Sequence, residues 1–194
     1  VPSLLTNFLN LGVGPATVFH VSRGDFDVRQ AKAGNLWLAF VVALAGVAIS
    51  LPILYLWADT LFPDIPVELL YLGLASFPAS LLIAYLNTIL QGLENFKAYN
   101  LTVLLPPYIN LAAVIIMLYG LRIGVVGAVL GYLIGQFIGC LVALTLVRRS
   151  QSRHGATGEA MPFLRYTGKT LGYGWKAHLS NILAFVNYRA DVFL

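Results

Sequence analysis

The residues of this sequence best suited to chemistry are those that do not belong in their surroundings. Arg189 and Asp191 stand in an apolar segment, residues 177–194, that follows the longest polar interval of the chain, residues 148–176. If Lys176 marks a membrane surface, Arg189 lies thirteen residues further along a helix. That is about 20 Å, past the middle of a ~30 Å hydrocarbon core. An intramembrane cation costs about 2.5–3.5 kcal/mol on insertion scales and is kept where it faces a wet cavity, a counter-ion or a charged substrate. Asp191 is an awkward sole partner, because residues two apart on a helix do not face each other. Amides form the second set. Asn7 and Asn10 lie in the first apolar run, Asn87 and Gln91 sit four apart near the end of the third, Asn110 follows a proline pair in the fourth, and Asn187 precedes Arg189. With Thr88 and Glu94, the pair Asn87 and Gln91 makes a polar strip suited to a vestibule wall. Interhelical hydrogen bonds of about 0.6 kcal/mol each are the structural alternative for any one of them.

Other chemistries lack their parts. Gly168-Lys169-Thr170 has the end of a phosphate-binding loop, but Phe163 stands where such a loop needs its first glycine. Asp25-Phe26-Asp27 is too common a loop string to mark a metal site, and its position between Arg23 and Arg29 favours solvated ion pairing. No His and Cys spacing suits a metal and no nucleophile constellation is present, so no cofactor and no metal are expected. Cys140, the single cysteine, lies within an apolar run and reads as a small packing residue. His20 reads as interfacial.

The elements that must position these residues follow from composition. Hydrophobic residues make up 59% and charged residues only 10%, against about 25% charged in a soluble domain, which places the chain among polytopic membrane proteins. Charges divide it into uncharged runs at 1–22, 33–58, 69–93, 98–121 and 123–147, followed by a shorter one at 177–188. About 20 apolar residues cross a bilayer as a helix, so five spans and part of a sixth are expected, with no barrel alternation. The net charge of +4 does not indicate nucleic acid, because the basic residues gather in particular loops. Loops 23–32, 94–97 and 148–176 hold ten Lys and Arg, whereas loop 59–68 holds none and the turn at Arg122 holds one. The positive-inside rule therefore makes the first three cytoplasmic. The chain begins at Val1 without an initiator Met or a basic leader and ends inside an apolar run, so it is read as a fragment of a longer protein.

Individual runs carry further expectations. Gly12, Gly14 and Pro15 should loosen the first span, either to line a cavity or as a packing kink. Ala39, Ala43 and Gly46 suit close helix contact in the second, which reads as scaffold. Pro106 and Pro107 should bend or open the fourth. Gly127, Gly131, Gly135 and Gly139, at strict four-residue spacing, should pack another helix rather than touch substrate. The interval 148–176 starts as a Ser, Gly and Arg rich connector and turns amphipathic from Phe163, as an interfacial helix leading into the last span.

Several strings carry a resemblance. Residues 89–100, Ile-Leu-Gln-Gly-Leu-Glu-Asn-Phe-Lys-Ala-Tyr-Asn, are similar to the polysaccharide and O-antigen flippases of the multidrug/oligosaccharidyl-lipid/polysaccharide exporter superfamily. So are Leu171-Gly172-Tyr173-Gly174 leading to Arg189-Ala190-Asp191, and the early Leu11-Gly12-Val13-Gly14 with Val21-Ser22-Arg23-Gly24. The resemblance implies an all-α fragment of a two-lobe exporter fold, with helices two to six and the start of helix seven. Residues 1–147 would be five helices of the N-terminal lobe, 148–176 the inter-lobe connector and 177–194 the truncated first helix of the C-terminal lobe. It implies a multi-pass transporter of a bacterial or archaeal cytoplasmic membrane, not an enzyme, that moves undecaprenyl-diphosphate-linked oligosaccharide by alternating access for surface polysaccharide biosynthesis. Its partners would be the lipid-linked oligosaccharide, membrane lipids and, as a candidate, a polysaccharide polymerase. On that reading Arg189 meets the diphosphate or glycan acid groups through paired hydrogen bonds, and Asn7, Asn10, Asn110 and Asn187 line the path. The alternatives are another exporter of the superfamily, for multidrug and toxin extrusion or peptidoglycan lipid, a structural membrane subunit, or a membrane-embedded glycosyl or prenyl transferase. The last needs paired carboxylates at the membrane surface, for which only Asp25 and Asp27 are candidates.

Overall fold

A computed structural model describes residues 6, 9–154 and 161–190, with backbone alone at 153, 154 and 185–190. The described elements are helical: α1 (Val13–Ser22), α2 (Val28–Leu61), α3 (Val67–Ala75), α4 (Phe77–Gly92), α5 (Phe96–Ile115), a π-helical turn (Ile116–Gly120), α6 (Val125–His154) and α7 (Phe163–Ala190). Among the described residues, four stretches are long and apolar enough to cross a bilayer: Val28–Leu61, Val67–Gly92, Phe96–Gly120 and Val125–Ser152. Their outer faces stay apolar and exposed, as at Phe40 and Leu44 of α2 and Leu104 and Leu111 of α5. The protein is an all-α polytopic membrane protein.

α4 lies at the centre and packs against α1, α2, α5 and α6. Phe77, Leu81, Tyr85, Leu86, Ile89 and Leu90 of this helix have no exposed surface. Small residues let the neighbours approach. On α2, Ala39, Ala43 and Gly46 are buried as expected, and a Cβ at Gly46 would come within 2.5 Å of the Phe77 ring. On α6, the glycine stripe receives α5 as expected: Gly127 meets Met117, Gly131 meets Val114, Gly135 meets Asn110, and Gly139 meets Pro106.

The first run is loosened as expected: among the described residues Leu11 and Gly12 take positive φ and α1 begins only at Val13. The left-handed turn is held by a close crossing: a Cβ at Gly12 would run into the Gly174 carbonyl, and one at Gly174 would lie 2.7 Å from the Gly12 oxygen. The third run divides at Ser76 into α3 and α4, where the Ser76 hydroxyl donates to the Gly73 carbonyl at 2.7 Å. The fourth run stays α-helical through Pro106 and Pro107 and widens only more than two turns later, at Ile116–Gly120. Pro106 is buried against Gly139 and Pro107 is exposed, so α6 supports the helix where two backbone donors are missing.

Charged groups gather at the two ends of the bundle. At one end the start of α2, the α4–α5 turn and the end of α6 are tied together: Lys32 donates to Gln151, and Asn95 donates to Ser150 at 3.4 Å while its side-chain oxygen caps α5. Arg23, Arg29, Lys32, Lys97, Arg148 and Arg149 belong to this basic end. The turns at 62–66 and 121–124, with Asp59, Asp64 and Glu68 nearby, form the other end. Two parts of the expected connector are regular: α6 carries Arg148 and Arg149 on to His154, and α7 runs from Phe163 through Lys176 to Ala190 without a break. The amphipathic part of α7 is docked on the bundle rather than laid against lipid alone, with Tyr166, Thr170 and Gly174 buried at four-residue spacing against α1 and α2.

Candidate functional site

A buried polar cluster joins four helices. The Asn35 side chain, fully buried on α2, accepts hydrogen bonds at Oδ1 from Tyr166 Oη of α7 (2.7 Å) and Thr17 Oγ1 of α1 (3.2 Å). Its Nδ2 donates to the Tyr85 carbonyl of α4 at 2.8 Å, which also accepts from Thr88 Oγ1 at 2.7 Å. Tyr85 Oη then donates to the Asn10 carbonyl at 3.2 Å, fixing the turn before α1. Gly34 makes room for this cluster, since any side chain there would overlap the Tyr166 ring. Burial pushes the Tyr166 hydroxyl up to about 12, so it stays a neutral donor.

Beside this cluster a cavity of about 640 Å³ opens between α1, α4 and α7. Asn10 and Gln91 line it, with Gly14, Thr88, Phe19 and Tyr173. Among the described residues Asn10 Oδ1 is buried without a partner. Phe19 and Tyr173 stack with centroids 4.3 Å apart, and the Arg23 guanidinium sits 5.0 Å from the Phe19 ring. Among the described residues the lining is neutral: amides, hydroxyls, aromatic faces and small residues. Such a lining can exchange hydrogen bonds with hydroxyl-rich molecules while two rings offer flat apolar faces.

Of the residues singled out from sequence, Asn10 and Gln91 thus meet in one cavity. Asn87 does not line it, and Glu94 leaves the polar strip because α4 ends at Gly92 and Glu94 occupies a left-handed turn. Asn110 packs against Gly135 at the α5–α6 contact, away from the cavity. Asn7 and Asp191, and the side chains of Asn187 and Arg189, lie outside the described residues. His20 Nδ1 pairs with Asp25 Oδ2 at 2.9 Å, in place of the expected Arg pairing, and this hydrogen bond holds the Asp25 carboxyl below its ordinary value. Asp27 caps α2 through a reciprocal pair with Gln30. Asn35, Tyr85 and Tyr166 were not expected at the site. The available signals were one Asn within a long uncharged run and the four-residue spacing of Tyr166, Thr170 and Gly174.

A family model described as "Polysaccharide biosynthesis protein" matches residues 1–194. The chain belongs to this family. No curated protein and no solved structure matches it. Membership of the polysaccharide biosynthesis family agrees with the resemblance carried by residues 89–100 and 171–174, and it assigns the amide-lined cavity to a membrane protein of polysaccharide biosynthesis.

Proposed function

We propose that the protein is a flippase, a transporter and not an enzyme, that moves undecaprenyl-diphosphate-linked oligosaccharide across the cytoplasmic membrane by alternating access for surface polysaccharide biosynthesis. The observation that carries this reading is the neutral, hydrogen-bonding cavity between α1, α4 and α7 within a bundle of bilayer-spanning helices. A lipid-linked oligosaccharide brings a polar glycan, a diphosphate and a polyprenyl tail. Asn10, Thr88 and Gln91 match the hydroxyls of the glycan, and Arg189, with Asn187 and Asp191 near it in sequence, is assigned to the diphosphate or to glycan acid groups. The basic end faces the cytoplasm by the positive-inside rule, so loading is from the inner leaflet.

The test is export of surface polysaccharide by cells carrying the intact protein with Asn10→Leu, Gln91→Leu or Arg189→Ala, at matched membrane levels. Each change should lower export, Arg189→Ala most, with lipid-linked oligosaccharide accumulating on the inner leaflet. Unchanged export in Arg189→Ala would remove its assigned role. Unchanged export in all three, or lost drug tolerance in place of lost polysaccharide, would overturn the cargo.

A further inference from the structure

A second concavity, of about 290 Å³, lies between the start of α2 and the start of α7, on the lipid-exposed side of the basic end. Its polar end holds Asp27 and Arg29, and its apolar wall is made by Trp37, Met161 and Phe163, with Tyr166 closing the inner side. Asp27 Oδ1 accepts from the Gln30 amide at 2.6 Å, and among the described residues the Asp27 carboxylate makes no ion pair. Arg29 lines the same niche and, among the described residues, makes no ion pair. An unpaired anion and an unpaired cation side by side match a zwitterion.

The apolar part sets the rest of the occupant. The rings of Trp37 and Phe163 stand 5.9 Å apart, those of Trp37 and Phe40 likewise, and a shallower groove of about 280 Å³ continues along Leu36, Trp37 and Phe40. Asp27 and Phe40 are thirteen residues apart on one helix. At 1.5 Å per residue that is about 20 Å, the depth of one leaflet with its headgroup layer. We propose that this groove binds a phospholipid with a primary-amine headgroup. The phosphate meets Arg29, the ammonium lies against the Asp27 carboxylate, and an acyl chain lies over Trp37 and Phe40. Because Phe163 and Tyr166 belong to α7, the lipid staples that helix to α2, whatever cargo the protein carries.

The test titrates the purified, delipidated intact protein with phosphatidylethanolamine, phosphatidylcholine and phosphatidylglycerol and reads retained lipid by native mass spectrometry. Phosphatidylethanolamine should be retained about ten-fold more tightly than either other lipid, because one lacks an N–H and the other lacks an amine. Asp27→Asn keeps the Oδ1 acceptor that caps α2 and should bring the preference close to one. Arg29→Gln should weaken all three lipids. Thermal melting checks that each variant is folded, and Asp27→Ser, another capping residue, replaces Asp27→Asn if the latter does not fold. Equal retention of the three lipids by the unaltered protein would mean annular lipid only and overturn the proposal, as would an undiminished preference in the folded Asp27 variant. Glycerophosphoethanolamine, the headgroup without acyl chains, should fail to compete; displacement by it would overturn the assignment to a membrane lipid.

Discussion

Asn35 shows how much one amide can organise inside an apolar bundle. Each of its three hydrogen bonds crosses to a different helix, and each is worth about 1 kcal/mol net, while an orphaned partner costs about 1–3 kcal/mol. Asn35→Leu should therefore destabilise the folded protein by about 3 kcal/mol, measured by thermal or denaturant unfolding in detergent. Tyr166→Phe should cost about 1 kcal/mol, since Thr17 still serves Asn35. The same tyrosine predicts a pH dependence. Its hydroxyl is raised in the folded state from 10.0 to about 12, so its contribution is whole below pH 10 and is lost as pH rises towards 12. Unfolding measured from pH 9 to 12 should show a loss of about 2 kcal/mol in the unaltered protein that is missing in Tyr166→Phe. Identical alkaline profiles would show that ionisation of this hydroxyl is not coupled to folding.

At the scale of elements, helix contacts depend on where glycine leaves room. On α7, Gly174 crosses Gly12 backbone to backbone, whereas a Cβ at Gly172 meets nothing within 4 Å. Two substitutions two residues apart should then have opposite signs. Gly172→Ala should be neutral or stabilise by about 0.5–1 kcal/mol through helix propensity, and Gly174→Ala should destabilise by about 2 kcal/mol or more. Unfolding curves of the pair read this directly, and equal effects would place the crossing elsewhere. On α6, a Cβ at Gly131 would lie 2.9 Å from the Val114 backbone nitrogen, which cannot yield as a side-chain tip can. Gly131→Ala should cost about 1–3 kcal/mol and loosen α5 from α6. The even glycine spacing was legible in sequence because a four-residue stripe has one face. The Gly12–Gly174 crossing was not, because nothing local relates residues so far apart.

For the whole molecule, the division into a basic and an acidic end gives a test of sidedness. Cysteine at position 97 should be labelled by an impermeant maleimide only after the membrane is opened, and cysteine at position 64 should be labelled from outside in intact cells. Labelling of both from one side would break the inferred topology and the inner-leaflet loading that depends on it. The cavity between α1, α4 and α7 lies towards the basic end, beside Arg23 and Ser22. Its contents combine residues from positions 10 to 173, and only a folded bundle brings Asn10, Gln91 and Tyr173 together.

The sequence by itself determined the solvent, the helical class and the charge pattern. Long uncharged runs leave the backbone no partner in lipid except its own carbonyls, and so they must be helices. Loop charge follows from composition and needs no packing. It determined family membership too, through strings spread along the whole chain. Tertiary structure alone decided which polar residues cooperate. Asn10 and Gln91 share a cavity while Asn110 faces Gly135, and Asn35, which read as part of a scaffold helix, became the centre of the buried cluster. The physical reason is that a single amide in an apolar run has the same local sequence signal whether it faces a partner helix or a cavity. Which one it meets depends on helix rotation, and that is set by the small residues and side-chain volumes of neighbours distant in the chain.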